Sequence, residues 1–290
     1  MIELHNVTKR YYSLVALDQL SLTIQPNEVL GIVGPNGAGK TTLFKLLAGL
    51  IRPDAGRIQA RGTSWPTIGF KPERLLYPGH MRLTDYLQFA AALSNVPRAH
   101  IKQAVGSALT QLHLAEFAHK RVRDCSKGMR QRLGLAQAML GNPDVVLLDE
   151  PTDGLDPEGQ ESVFYAIRAL QEAGKTVIMA SHQLQIVTDV CTRLVILNRG
   201  QIYYESAMPE ALSLRPQATI IATQDLTPLA NMLHSLHPEI KVSGATVILE
   251  HGALPLRRHV LSLMLGAGFD VVHVEQKRTT IYDIYAEVVR

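Results

Sequence analysis

Residues 34–41 read GPNGAGKT, a glycine loop that ends in Lys40 and is followed by two hydroxyl residues, Thr41 and Thr42. The spacing GxxxxGK[ST] has one chemical task, which is to hold phosphate. Gly34, Gly37 and Gly39 lack Cβ atoms, so the chain can turn successive N–H groups inward toward phosphate oxygens, with Pro35, Asn36 and Ala38 between them. Lys40 would reach the β- and γ-phosphates, and Thr41 would offer its hydroxyl to Mg²⁺. Further on, VVLLDE ends in two adjacent carboxylates, Asp149 and Glu150. Neighbouring strand side chains point opposite ways, which splits the pair into two roles. Asp149 would serve the Mg²⁺ side, and Glu150 would orient and deprotonate an attacking water. The chemistry is phosphoryl transfer from a nucleoside triphosphate to water.

Such groups need a strand before the loop and a helix after it. EVLGIVG is a buried-strand run, and Leu43, Leu46, Leu47 and Leu50 then recur at helical spacing, with Gly49 and Pro53 marking the end. MIELHNV and LSLTIQP predict antiparallel strands ahead of the loop. TDYLQFAAAL, HIKQAVGSALTQLHL and SKGMRQRLGLAQAML predict a helical region. DVVLLDEP, a helix near 157–173 and TVIMASH then alternate in the manner of a parallel sheet covered by helices, which carries both carboxylates to its C-terminal edge. Beyond a polar stretch at 213–217 containing Pro216, read as a linker, the pattern resets. A strand (ATIIAT), a helix at 225–236, strands near 239–250, a helix at 254–266, the strand DVVHVEQ and a helix at 279–289 make a βαββαβα order. In that unit Leu261, Met264 and Leu265 form an apolar stripe, read as core.

The bulk numbers remove other function classes. A net charge of +3 over 290 residues, with Lys/Arg and Asp/Glu balanced beyond residue 210, provides no basic surface and argues against nucleic acid. Cys125 and Cys191 stand alone, without metal-like spacing, in keeping with a reducing compartment. The first ten residues carry charges and no apolar run follows, so no signal peptide or anchor is expected. Stretches free of charged residues are too short for a spanning helix, which needs about 18–20 residues.

With these motifs in this order, the chain resembles the nucleotide-binding subunits of ATP-binding cassette (ABC) transporters over residues 1–212. The resemblance implies an α/β P-loop NTPase cassette with an antiparallel β subdomain, a RecA-like parallel-sheet core and a helical subdomain at about 78–140. A small α+β ferredoxin-like unit at 217–290 would follow. ATP and Mg²⁺ become the expected cofactors. Tyr11 matches the family's adenine-stacking aromatic, unless it serves packing alone, and Tyr12 is as readily a strand-packing residue. TDGLDP matches the D-loop, carried by Asp156, and His182, 33 residues after Asp149, matches the switch histidine that contacts γ-phosphate and water. Lys40, Glu150 and His182 would then do the chemistry.

CSKGM stands where the family has LSGGQ, 23 residues before Asp149 counted from Ser126. Ser126 can donate its hydroxyl to phosphate, and Gly128 admits close approach at a helix start. Lys127 either adds positive charge near the nucleotide or is a solvated helix-start residue. In the family this element reaches the ATP on the other subunit's glycine loop, which implies a head-to-tail dimer, with a homodimer expected. Glu73 stands at the usual glutamine of the Q-loop, as a Mg²⁺ or water ligand or as an exposed loop acid. Leu76, Tyr77 and Pro78 would follow as permease contacts or as packing. SKGM with RQRL, and Glu73 after Pro72, resemble ABC-2 type members, which implies export. The expected partner is a separately encoded integral membrane permease, so the chain would be cytoplasmic and peripheral on the inner face of the membrane. A soluble ABC ATPase acting on ribosomes or nucleic acid is the rival reading, and one cassette without heptads or basic charge argues against it.

Overall fold

Every residue of VLGIV, VVLLD and TVIMA is buried, as expected of strands covered on both faces. The computed structural model describes residues 1–289 except 63, 75, 214, 215, 279 and 280. It divides the chain into two units, one of Met1–Met208 together with the chain end from Val288, the other of Pro209–Glu287.

In the first unit β1 (Ile2–Tyr11), β2 (Leu14–Ile24) and β4 (Ala55–Ala60) form an antiparallel sheet ordered β2-β1-β4. Between them in sequence lie β3 (Val29–Val33) and α1 (Lys40–Leu47). There follow β5 (Ile68–Lys71), then α2 (Leu83–Leu93), α3 (Ile101–Gln111) and α4 (Lys127–Met139), the expected helical region. The remainder is β6 (Val145–Asp149), α5 (Pro157–Glu172), β7 (Thr176–Ala180), α6 (Leu184–Val190), β8 (Arg193–Asn198) and β9 (Gln201–Ala207). The main sheet runs β5-β6-β7-β3-β8-β9, parallel except for β9. Leu4, Leu17 and Leu22 of the antiparallel sheet share one buried cluster with Leu43, Phe44 and Leu47 of α1 and with Leu30, Ile32 and Ile178 of the main sheet. Leu50, expected on that helical face, is exposed because α1 has already ended before Gly49.

Register explains how distant motifs meet. Lys71 pairs with Leu148, Asp149 with Ala180, and Ile32 with Ala180 across the sheet. The residues just past these pairs, Glu73, Glu150, His182 and Gly34, therefore emerge along one C-terminal edge, where ligands of open α/β sheets bind.

The second unit begins with α7 (Met208–Ser213) and β10 (Pro216–Ala222), followed by α8 (Ala230–Leu236), β11 (Ile240–Ser243), β12 (Thr246–Leu249), α9 (Arg257–Gly266), β13 (Val271–Arg278) and α10 (Ile281–Val289). Its antiparallel sheet, ordered β11-β12-β10-β13, has ferredoxin-like topology. Ile220, Leu233, Val247, Val260 and Met264 are fully buried in its own core.

Three expectations change here, and a fourth falls outside the described residues. Of the stretch 213–217 expected as a linker, residues 214 and 215 lie outside the described residues. Ser213 closes a helix and Pro216 opens a strand, a position where a missing N–H is tolerated. The helix expected from 225 starts as a 3-10 turn at Thr227 because Asp225 accepts the Thr227 N–H at 3.0 Å just ahead of Pro228. The start of the last helix, at 279 and 280, also lies outside the described residues. Leu265 is exposed, since α9 buries Val260 and Met264, four residues apart, and Leu265 is rotated off that face.

Candidate functional site

The loop after β3 is shaped by what surrounds it. A Cβ on Gly34 would lie 2.1 Å from the Leu197 carbonyl oxygen, so nothing larger fits. Gly39 adopts φ +107°, a region closed to side-chain-bearing residues, and immediately starts α1. This turn aims Lys40 back over its own loop. The ammonium donates to the Gly34 carbonyl at 2.6 Å and to the Pro35 carbonyl at 3.2 Å. Burial lowers its pKa, and the charges of Glu150, Asp149 and Glu73 oppose that shift. A desolvated cation held only by neutral carbonyls gains from an anion within reach.

Thr41 donates its hydroxyl to Asp149 Oδ2 at 2.9 Å. The other carboxylate oxygen, Asp149 Oδ1, is buried without a partner. Burial pushes the Asp149 carboxyl upward, the Thr41 bond opposes this, and Glu150 and Glu73 add to it by repulsion. An orphaned carboxylate oxygen beside a hydroxyl, with Glu73 on the same cleft wall, fits a hard divalent cation. Among the described residues no group of three His, Cys, Asp or Glu side chains could hold a metal by itself. The donor set suits Mg²⁺, which is commonly bound through one or two carboxylates plus substrate phosphates.

Glu150 has φ +47°, an uncommon backbone for a residue with a Cβ. Its N–H donates to the Ala180 carbonyl at 3.0 Å, and its carboxylate Oε2 lies 2.9 Å from His182 Nδ1. An ionised carboxylate only accepts, so Nδ1 carries the proton in this pair. Beneath both acids lies Lys71, which is fully buried. Its ammonium donates to the Asp149 carbonyl at 2.9 Å and to the Glu150 carbonyl at 3.3 Å. Burial lowers Lys71 to about 8, against the opposing pull of the nearby carboxylates.

A cleft of about 640 Å³ joins these groups. Of the residues expected from sequence, Tyr11, Asn36, Gly37, Ala38, Gly39, Lys40, Thr41, Thr42, Glu73, Asp149, Glu150 and His182 line it. Gly34 and Pro35 stand behind, as acceptors for Lys40. Tyr11 carries Lys9 over its ring at 5.8 Å, whereas Tyr12 is fully exposed with φ +52° rather than packed in a strand. Tyr11→Ala is expected to weaken ATP binding about five- to 150-fold, since stacking a base on an aromatic ring contributes about 1–3 kcal/mol and every 1.4 kcal/mol is tenfold. Fluorescence titration of the two chains measures this, and unchanged affinity would leave the ring a packing role only.

The remaining expected residues stand outside this cleft. Ser126 caps α4, its hydroxyl oxygen accepting the Met129 N–H at 3.1 Å, which leaves the hydroxyl proton to give elsewhere. Lys127 is exposed and paired with Asp153 at 2.7 Å, and Gly128 lies against Leu155. Asp156 caps α5 by accepting the Gly159 N–H at 2.9 Å, so its carboxylate is committed to the helix start. Tyr77 is packed, donating to the Arg130 carbonyl at 2.7 Å and meeting Tyr86 edge-on, while Leu76 is fully exposed. Sequence reasoning passed over Leu14, Ala16 and Asp153, which line the cleft, and Lys71. Only Lys71 leaves a signal, as a lone cation ending the apolar strand IGFK.

Comparison with known proteins gives a consistent set of likenesses. The sequence model of the family described as "ABC transporter" matches residues 17–153. The ABC transporter ATP-binding protein YxlF of Bacillus subtilis is 31% identical, over 100% of this chain and 99% of its own. The Nod factor export ATP-binding protein I of Cupriavidus metallidurans is 29% identical over 85% of each chain. Among solved structures, a dimeric ATP-binding cassette in a post-hydrolysis state with ADP and Pi superposes with a TM-score of 0.67 at 24% identity, covering 72% of this chain and 99% of that one.

Proposed function

The chain belongs to the ABC transporter family, whose cassettes bind and hydrolyse ATP, and from that premise we propose that it powers a separately encoded membrane permease of ABC-2 type, working in export. The observation that carries this reading is the division of the motifs. One cleft gathers Tyr11, Lys40, Thr41, Asp149, Glu150 and His182, while Ser126, Lys127 and Gly128 stand outside it. A half-site left over in this way supports a head-to-tail pair, in which each chain's α4 start meets the other's triphosphate. The likeness to a Nod factor export protein supports the direction of transport. No helix among the described residues is long and apolar enough to cross a membrane; the family likeness supports assigning the membrane path to the permease, with this chain peripheral on its cytoplasmic side.

In this reading the side chains of the cleft divide the reaction among them. Lys40 leaves the loop carbonyls for the β/γ-phosphate oxygens, where its charge opposes the charge developing in transfer. Thr41 and Asp149, with Glu73 alongside, would hold Mg²⁺, which when bound supplies positive charge against the phosphate oxygens. Glu150, fixed by Ala180 and His182, takes a proton from the attacking water as its oxygen bonds to γ-phosphorus and ADP leaves. His182 holds the carboxylate through Nδ1 and keeps Nε2 for the γ-phosphate or water.

The test is co-expression with any six-helix membrane protein that a neighbouring reading frame encodes. Co-purification in mild detergent, with ATP turnover raised several-fold by the partner, is the expected outcome. Retention on ribosomes or nucleic acid at moderate salt, without any membrane partner, would overturn the transport reading.

A further inference from the structure

Lys71 is the least expected side chain in the first unit. It is a wholly buried cation whose recorded partners are all backbone carbonyls, those of Asp149 at 2.9 Å, Glu150 at 3.3 Å and Pro72 at 3.4 Å. Burying a charge without a carboxylate in direct contact is costly, and a leucine or methionine would fill the same volume without that cost. The acceptors explain what the cation does there. Two of them belong to consecutive residues, the ones that carry the metal-facing and water-facing carboxylates.

The strand ending makes this contact necessary. The pairing of β5 with β6 stops at Lys71 and Leu148. The residue that follows β5 is Pro72, which has no N–H to extend the ladder. Past that point the Lys71 ammonium donates to the Asp149 carbonyl and also to the Glu150 carbonyl, which it shares with the Asp153 N–H at 3.4 Å. Glu150 gains from such support, because φ +47° is an uncommon backbone for a residue with a Cβ. Its N–H is held by Ala180 on β7 and its C=O by Lys71 on β5, so both neighbouring strands clamp the peptides on either side of its side chain.

We propose that Lys71 is a positioning residue for hydrolysis, its buried ammonium extending the β5–β6 ladder past Pro72 and holding the Asp149–Glu150 backbone so that the Glu150 carboxylate faces the attacking water. It touches neither nucleotide nor water and acts through Glu150. Nucleotide binding, which rests on the glycine loop and Lys40, is left largely independent of it.

This inference rests on the hydrolytic reading of the cleft, so the parent and Glu150→Gln chains are assayed alongside. No ATP turnover in the parent, or undiminished turnover in the Glu150→Gln chain, defeats that reading and not the role of Lys71 within it. Full-length Lys71→Met, Lys71→Gln and Lys71→Arg chains are compared for kcat and KM with Mg²⁺-ATP and for affinity toward a fluorescent ATP analogue. The expected result is a kcat lowered about thirtyfold in the Met and Gln chains, affinity for the analogue within threefold of the parent, and recovery of kcat to within about fivefold in the Arg chain. Turnover within threefold of the parent in the Met and Gln chains overturns the proposal, as does an affinity that falls in step with kcat. Should the Met chain fail to fold, the Gln and Arg chains decide. A higher kcat with Arg at equal nucleotide affinity supports the proposal, and equal kcat in the two overturns it.

Discussion

Glu150→Gln is expected to retain ATP while lowering its hydrolysis by about a hundredfold or more, the usual contribution of a positioned general base. The substitution keeps the shape of a side chain that is 9% exposed, and its carbonyl oxygen can still accept the proton of His182 Nδ1. It removes only the ability to take up a proton. It also removes a negative charge that repels Asp149 and would repel phosphate, so nucleotide affinity holds or rises. A dimer closed around unhydrolysed ATP should therefore accumulate. Single-turnover hydrolysis measures the chemical step, and gel filtration with Mg²⁺-ATP measures the dimer. Turnover near the parent value would remove Glu150 from the role of base.

Lys40→Met is expected to weaken ATP binding about a hundredfold, and turnover with it. Charge-assisted hydrogen bonds contribute about 1.5–3 kcal/mol each, and every 1.4 kcal/mol is tenfold in affinity. Methionine keeps the stem packed in a site where Lys40 is 7% exposed, so the loss is that of the ammonium. The loop carbonyls of Gly34 and Pro35 lose a donor in the free chain, which costs some stability but does not favour ATP. Calorimetric titration at fixed salt and Mg²⁺ gives the affinity. A value within threefold of the parent would mean that the backbone amides alone hold the triphosphate.

The glycine loop and the DE pair could be read from sequence because each sits at a change of element, where local rules decide the conformation, whereas the histidine at the end of TVIMASH was assigned through the family's motif order. Strand register then brings them together, and the periodicity of buried runs already implied a parallel sheet. Asp156 and Tyr77 were harder to read. Each belongs to a motif of the right type, yet a helix start claims one and a carbonyl across the helical region claims the other. Lys127 shows the same limit, since its partner Asp153 lies 26 residues away and only the folded chain pairs them. Lys71 could not be assigned from sequence because its role depends on carbonyls, and every residue type supplies the same carbonyl. Pro216 was misread because a proline that ends one element and a proline that starts another look alike in a string.

The wall of the cleft contributed by β1 and β2 is lined by Tyr11, Leu14 and Ala16. Two of these side chains are aliphatic, and the third presents a ring face and one hydroxyl, so this wall has little with which to tell adenine from guanine by its edge. Every base has a ring face to stack. Charge and directed hydrogen bonding are concentrated at the other end, around Lys40, Thr41 and Asp149. The polar and charged groups of the cleft therefore lie where phosphates would sit, and the wall that would meet the base is mainly apolar.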